Sequence, residues 1–192
     1  MKLRLLSDLH SELWNENFPA AEKRLLRLVP PLPEDRKTVM VLAGDIGSAK
    51  RKNMLRVILK HFSKRFSAVY YIPGNHEAYG SELITATLDI AEVAREFHNV
   101  HYGSPTRFPI SGKFFLGCTL WTDFDGCDPV TMFNAGRGMN DYRQIAMGNQ
   151  GLLTPEDVLS MHRDMRRMLE KEIQEGDIVI THMAPSFQSI HP

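Results

Sequence analysis

Ala68–Tyr79 reads AVYYIPGNHEAY, and its two halves make opposite demands. Ala68 to Ile72 is a continuous apolar run of strand length, as expected of a strand buried on both faces of a parallel sheet. Pro73-Gly74 ends it, and Asn75-His76-Glu77 follows at once. A strand that runs straight into three polar side chains marks a ligand-bearing sheet edge.

Working outward, the same arrangement recurs. Thr38–Ala43 (TVMVLA) is a second buried strand and runs into Gly44-Asp45. Lys2 to Leu6 has strand character and ends in Ser7-Asp8-Leu9-His10, and Asp177 to Thr181 runs into His182. Helical patterns separate the early strands: Ala20 to Leu28, then Met54, Val57, Ile58 and Phe62 at helical spacing, then Ser81 to Phe97. Strand, helix, strand, helix, strand, helix is the order of an α/β fold with a parallel sheet.

Beyond residue 100 the pattern changes. TRFPISGKFFLGCTLW (106–121) predicts a hairpin turning at Ser111-Gly112. Residues 123–151, rich in Gly, Asn and Asp, predict a long loop with little regular structure. Thr154-Pro155-Glu156-Asp157 then opens a helix running to about Glu175, with Thr154 as N-cap and acids in the first turn.

In an open parallel sheet, carboxyl-terminal strand ends share one rim, where ligands bind. Asp8, His10, Asp45, Asn75, His76 and His182 therefore meet there. Oxygen and nitrogen donors without thiolate suit a divalent ion, Mn first, with Fe, Zn, Co, Ni or Mg as alternatives. Asp8 and His10, two apart on an extended chain, would grip one ion. Asp45, after a glycine, could bridge two, with Asn75 and His182 serving the second. Two such ions polarise a phosphoryl oxygen and activate water. His76 is then free to protonate a leaving oxygen.

Composition narrows the class. The 192 residues are 43% hydrophobic and 24% charged with zero formal net charge, which suits a single domain and gives no polyanion-binding signature. No apolar run has the length of a membrane span. The start reaches Asp8 and His10 too soon for a signal peptide. Cys118 and Cys127 read as unpaired thiols, in keeping with a reducing cytoplasm. The basic run at 50–65 reads as a solvated helix face, which leaves nucleic acid only as a substrate class.

Taken together, SDLHSE, VLAGDIG, YIPGNHEAY and VITHMAPS resemble the calcineurin-like metallophosphoesterase superfamily, and TLWTDF and MNDYRQI resemble its small bacterial and phage phosphoesterases. The resemblance spans Lys2 to about Ser186. It implies a four-layer α/β/β/α sandwich of two mixed sheets, with a dinuclear site at the strand ends. It implies Asp8 and His10 on the first metal, Asp45 bridging, Asn75 and His182 on the second, and His76 at the phosphate and leaving group. The implied reaction is in-line attack by metal-activated hydroxide, with no phosphoenzyme. Asn140, Asp141 and Arg143 are candidates for shaping the substrate pocket.

The sequence departs from that family at its end. No Gly-His-x-His follows His182, so the single domain, residues 1–192, is expected to be truncated there and the second sheet incomplete. Water, His191 or a partner chain would fill the vacated positions, and uncovered sheet edges point to a two-fold homodimer. The leading expectation is a phosphodiesterase. A phosphomonoesterase of the same fold and a non-catalytic scaffold with a decayed site are the alternatives.

Overall fold

Three β-strands, β1 (Lys2–Leu6), β2 (Thr38–Ala43) and β3 (Ala68–Ile72), are joined by helices α1 (Phe18–Leu28) and α2 (Lys52–Arg65). A two-residue strand β4 (Ser81–Glu82) and helix α3 (Leu83–Arg95) then lead to β5 (Val100–Tyr102), which the sequence pattern had not indicated. The computed structural model describes residues 1–15, 17–103 and 105–189, so His191 lies outside the described residues. The first sheet has the order β1-β2-β3-β5 and is parallel throughout.

Alternation along β2 and β3 decides what each face covers. Met40, Leu42, Val69 and Tyr71 pack with Leu25 of α1, Ile58 and Phe62 of α2, and Ile90 of α3. Their neighbours Val39, Val41, Ala43, Tyr70 and Ile72 point the opposite way, against Ile110, Phe115 and Ile180. Those three belong to a second sheet. It comprises β6 (Phe108–Ile110), β7 (Lys113–Cys118) and, after the intervening segments, β9 (Ile178–Thr181), in the order β6-β7-β9.

The second sheet is mixed. β6 and β7 form the expected antiparallel hairpin, with Ser111 (φ 49) and Gly112 (φ 79) both left-handed at its turn, whereas β7 and β9 are parallel. Its outer residues Leu116 and Cys118 meet Leu169 of α7 (Pro155–Glu172). The layers are therefore helix, sheet, sheet, helix. The α7 start is the one the sequence predicts: Asp157 donates its backbone N–H to Thr154 and accepts one from it.

Residues 123–151 are more regular than their composition predicts. They hold a left-handed turn, α4 (Phe124–Cys127, all four at positive φ), then α5 (Pro129–Gly138), α6 (Asp141–Gln144) and the two-residue β8 (Ile145–Ala146), which pairs with β4. The reason is a second capping signal: Asp128 accepts from the Thr131 N–H at 2.7 Å, with Pro129 opening the helix. Because α5 buries none of its residues, no apolar stripe announces it.

Part of the basic face of α2 is paired locally. Lys52 pairs with Asp89 at 2.6 Å and Arg56 forks onto Glu96. Both cysteines are unpaired, and burial pushes the Cys118 thiol up to about 11. No helix among the described residues is long and apolar enough to cross a membrane.

Candidate metal centre

All four strand ends deliver their polar residues to one place. The extension of β1 is tied to that of β2 by backbone bonds from the N–H groups of Asp8, His10 and Ser11 to the carbonyls of Gly44, Asp45 and Ile46. Asp8 (φ 55), His10 (φ 47) and Asp45 (φ 55) are all left-handed, a conformation non-glycine residues rarely adopt. Three such residues within one site are strain held in place by surrounding bonds.

This changes one premise of the sequence reading. The chain from Asp8 to His10 is not extended. Two clusters of candidate donors form, His10 with Asp45 and His76, and Asp8 with Asp45 and His182. Within each, the donor atoms lie within 4.8 Å of one another. Asp45 belongs to both, the position expected of a bridging carboxylate. Its Oδ2 lies 3.8 Å from His10 Nε2 and 4.0 Å from His76 Nε2, and its Oδ1 lies 3.4 Å from His182 Nε2.

The loops close tightly around these groups. A Cβ on Gly44 (φ 89) would sit 2.5 Å from His182 Nδ1, and one on Gly74 would sit 2.1 Å from Asp45 Oδ1. Glu77 supports the same loops from behind. Its Oε2 accepts from the N–H groups of Asp45 (3.0 Å) and Gly74 (2.7 Å), its Oε1 from Ile46 N–H (2.8 Å) and the Tyr71 hydroxyl (2.7 Å). Glu77 thus orients three backbone N–H groups and the Tyr71 hydroxyl.

Glu12 orients the histidines. Its Oε1 is 3.0 Å from both His10 Nδ1 and His76 Nδ1, so one carboxylate oxygen fixes two rings and leaves both Nε2 atoms facing Asp45. Burial raises the Glu12 pKa, but the His76 and His10 bonds outweigh it and hold the carboxyl below its usual range. Arg51 secures the turn that carries Glu12, donating from Nη1 to the carbonyls of Ser11, Glu12 and Trp14. His182 Nδ1 is likewise set, 2.9 Å from the Ala43 carbonyl.

Asn75 is buried, and its amide donates to Asp141 Oδ1 at 2.6 Å, which turns the amide oxygen the other way. The same Asp141 oxygen accepts from the Tyr79 hydroxyl at 2.7 Å, while the Tyr79 ring stacks on His76 with centroids 3.9 Å apart. Asp141, a sequence candidate for the substrate pocket, is thus a buried brace between Asn75 and Tyr79. Asn140, just before α6, and Arg143 within it are exposed, and Arg143 donates to the Arg137 carbonyl. Tyr79 and Arg51 were not singled out from sequence. The signal for Tyr79 is its place three residues after His76, one short helical turn along.

The donor set fits divalent cations. Two carboxylates and the imidazole nitrogens of His10 and His182 converge, with His76 beside them, and the second nitrogen of each ring is already engaged. Burial alone would lower the His182 pKa, but Asp45 outweighs it and pushes the value up to about 9.

The sequence model of the calcineurin-like phosphoesterase family matches residues 1–190. An uncharacterised protein of Acanthamoeba polyphaga mimivirus is 24% identical, aligned over 96% of this chain and 68% of its own length. Among solved structures, the crystal structure of a phosphopantetheinyl hydrolase from Mycobacterium tuberculosis superposes with a TM-score of 0.66 at 18% identity. That match covers 94% of this chain and 66% of the hydrolase. The chain thus spans about two thirds of the length of each of these relatives. With the four-layer sandwich and the strand-end cluster of Asp, Asn and His, the family match places this chain in the calcineurin-like phosphoesterase family, whose chemistry is metal-dependent phosphoester hydrolysis.

Proposed function

We propose that the protein is a phosphodiesterase with a dinuclear divalent-metal site. The observation that carries this reading is Asp45, whose two oxygens face two separate donor clusters. Asp8, His10, Asp45, Asn75 and His182 would hold the ions, which when bound supply Lewis acidity to the phosphoryl oxygen and the attacking water. The residues do the rest. Glu12 and the Tyr79 ring hold His76 with its Nε2 turned inward, placed to give a proton to the leaving oxygen. Asp141 aims Asn75.

Charge favours a diester. A phosphomonoester brings a second negative charge, and Arg51, the arginine at this rim, already commits its Nη1 to three carbonyl oxygens. The same reading seats a second copy of the chain on the open sheet edges. It is supported by Leu3 and Leu5 of β1, which are 43% and 70% exposed.

The test compares bis(p-nitrophenyl) phosphate with p-nitrophenyl phosphate in the presence of Mn²⁺. The diester should turn over faster, and Asp45→Ala should abolish both turnover and Mn²⁺ binding. Folded protein that cleaves neither ester with Mn²⁺, Co²⁺, Ni²⁺ or Zn²⁺ would overturn the enzymatic reading. Faster monoester cleavage would overturn the preference.

A further inference from the structure

Tyr79 has two ends, and the proposed chemistry uses one. Its ring lies on the His76 ring, with centroids 3.9 Å and planes 23° apart. Its hydroxyl reaches Asp141 Oδ1 at 2.7 Å, the oxygen that also takes the Asn75 amide at 2.6 Å. The Asn75 side chain in turn lies close enough to the Tyr79 hydroxyl to bear on its ionisation. Asn75, Asp141 and Tyr79 therefore form a polar triangle beside the metal centre.

Local structure builds this triangle. Asn75 and Tyr79 flank a short 3-10 turn, His76–Ala78, closed by bonds from Ala78 N–H to the Asn75 carbonyl and from Tyr79 N–H to the His76 carbonyl. That turn brings both side chains to Asp141. The third corner is held in place from the other side: Gly80 N–H donates to the Gln144 carbonyl at 2.7 Å and β4 pairs with β8, which docks α6 against the same turn. The bond directions follow from chemistry. Asp141 is 2% exposed, and a carboxylate can only accept. Asn75 must give it the NH₂ group and keep its carbonyl oxygen for an ion. Tyr79 must give it the hydroxyl proton. With two donors on one oxygen, the carboxylate is fixed about its own bond. Without the hydroxyl, the Asn75 amide is the one donor left on that oxygen, and a turn of the carboxylate carries the amide with it.

We infer that the Tyr79 hydroxyl, acting through Asp141, is a positioning group for Asn75 and sets how tightly the second ion is held. This role rests on the dinuclear reading above and is separate from the stacking of Tyr79 on His76.

The test is calorimetric titration of the full, metal-stripped chain with Mn²⁺, which needs no turnover. The parent should bind two ions. Tyr79→Phe keeps the ring over His76 and removes only the hydroxyl. It should weaken one site about tenfold, in line with other groups that orient a ligand, and leave the other within about twofold. In an Asn75→Ala background, where the oxygen ligand is gone, Tyr79→Phe should cause no further loss. Circular dichroism should match the parent in each variant. A parent that binds fewer than two ions would remove the dinuclear reading and this role with it. Two ions bound with unchanged affinities by both parent and Tyr79→Phe would overturn the role alone. A loss that persists in full in the Asn75→Ala background would assign the hydroxyl to the fold, and would overturn it equally.

Discussion

Glu12 shows how much a single side chain organises. One oxygen holds His10 and His76 in the same tautomer, and these residues come from different strand ends. Its other oxygen is buried and makes no hydrogen bond of normal geometry. Glu12→Gln keeps the size and one carbonyl oxygen for the two rings but removes the negative charge that strengthens both bonds. The expected outcome is a fall of about 10- to 100-fold in kcat with the fold intact. If Glu12 acts by positioning His76, the loss is larger for diesters with poor leaving groups than for p-nitrophenyl esters, because only the former need the proton. An equal loss across leaving groups, measured on the same preparation, would assign Glu12 to metal binding alone.

At the scale of elements, Asp35 fastens the amino-terminal ends of the sheet. It is 3% exposed, accepts from Arg4 of β1 at 3.0 Å and from Arg65 of α2 at 2.7 Å, and also takes the Leu32 N–H at 3.0 Å. Burial raises its pKa, but the Leu32 N–H and the two guanidinium groups outweigh it and hold the carboxyl below its usual value. A depressed folded pKa means the stabilisation is complete above the unfolded pKa of about 4 and is lost as pH falls through the folded value. Asp35→Asn should cost about 2–3 kcal/mol in urea unfolding at pH 7, and the variant should converge on the parent as the medium is acidified below pH 4. A constant difference from pH 7 to pH 3 would assign the effect to packing.

The elements also separate what the sequence makes legible from what it hides. β2 and β3 could be read because both their faces are buried, so every position after Thr38 is apolar or aromatic. Asp8, His10, Asp45, Asn75, His76 and His182 stood out as candidates because each lies within four residues of the end of a strand. What was hidden is long-range or has no apolar signature. α5 is wholly exposed or half-exposed, and β5 is three residues long. The bond from Asn75 to Asp141 joins residues 66 apart, which no local pattern can encode. The left-handed turns at Asp8 and His10 were hidden too, because only pairing with the Gly44–Ile46 segment imposes them.

The whole molecule has an uneven interior. Leu3 and Leu5 stand beside Val39 and Val41 in register and point to the same face. Val39 and Val41 are sealed under the second sheet at 0% and 2% exposure, whereas Leu3 and Leu5 are not. Among the described strands, β9 forms the corresponding edge of the second sheet, so an uncovered apolar strip lies beside an unpaired backbone edge. Exposed apolar surface next to a free edge favours association, and a second copy related by a two-fold axis would cover both at once. Sedimentation velocity over a hundredfold concentration range should then show a monomer–dimer equilibrium. Leu5→Lys, which places a charge on that strip without touching the buried side of β1, should leave circular dichroism unchanged and hold the protein monomeric throughout. A parent chain that stays monomeric at high micromolar concentration, or a lysine variant that still dimerises, would remove this face as the seat of a second copy.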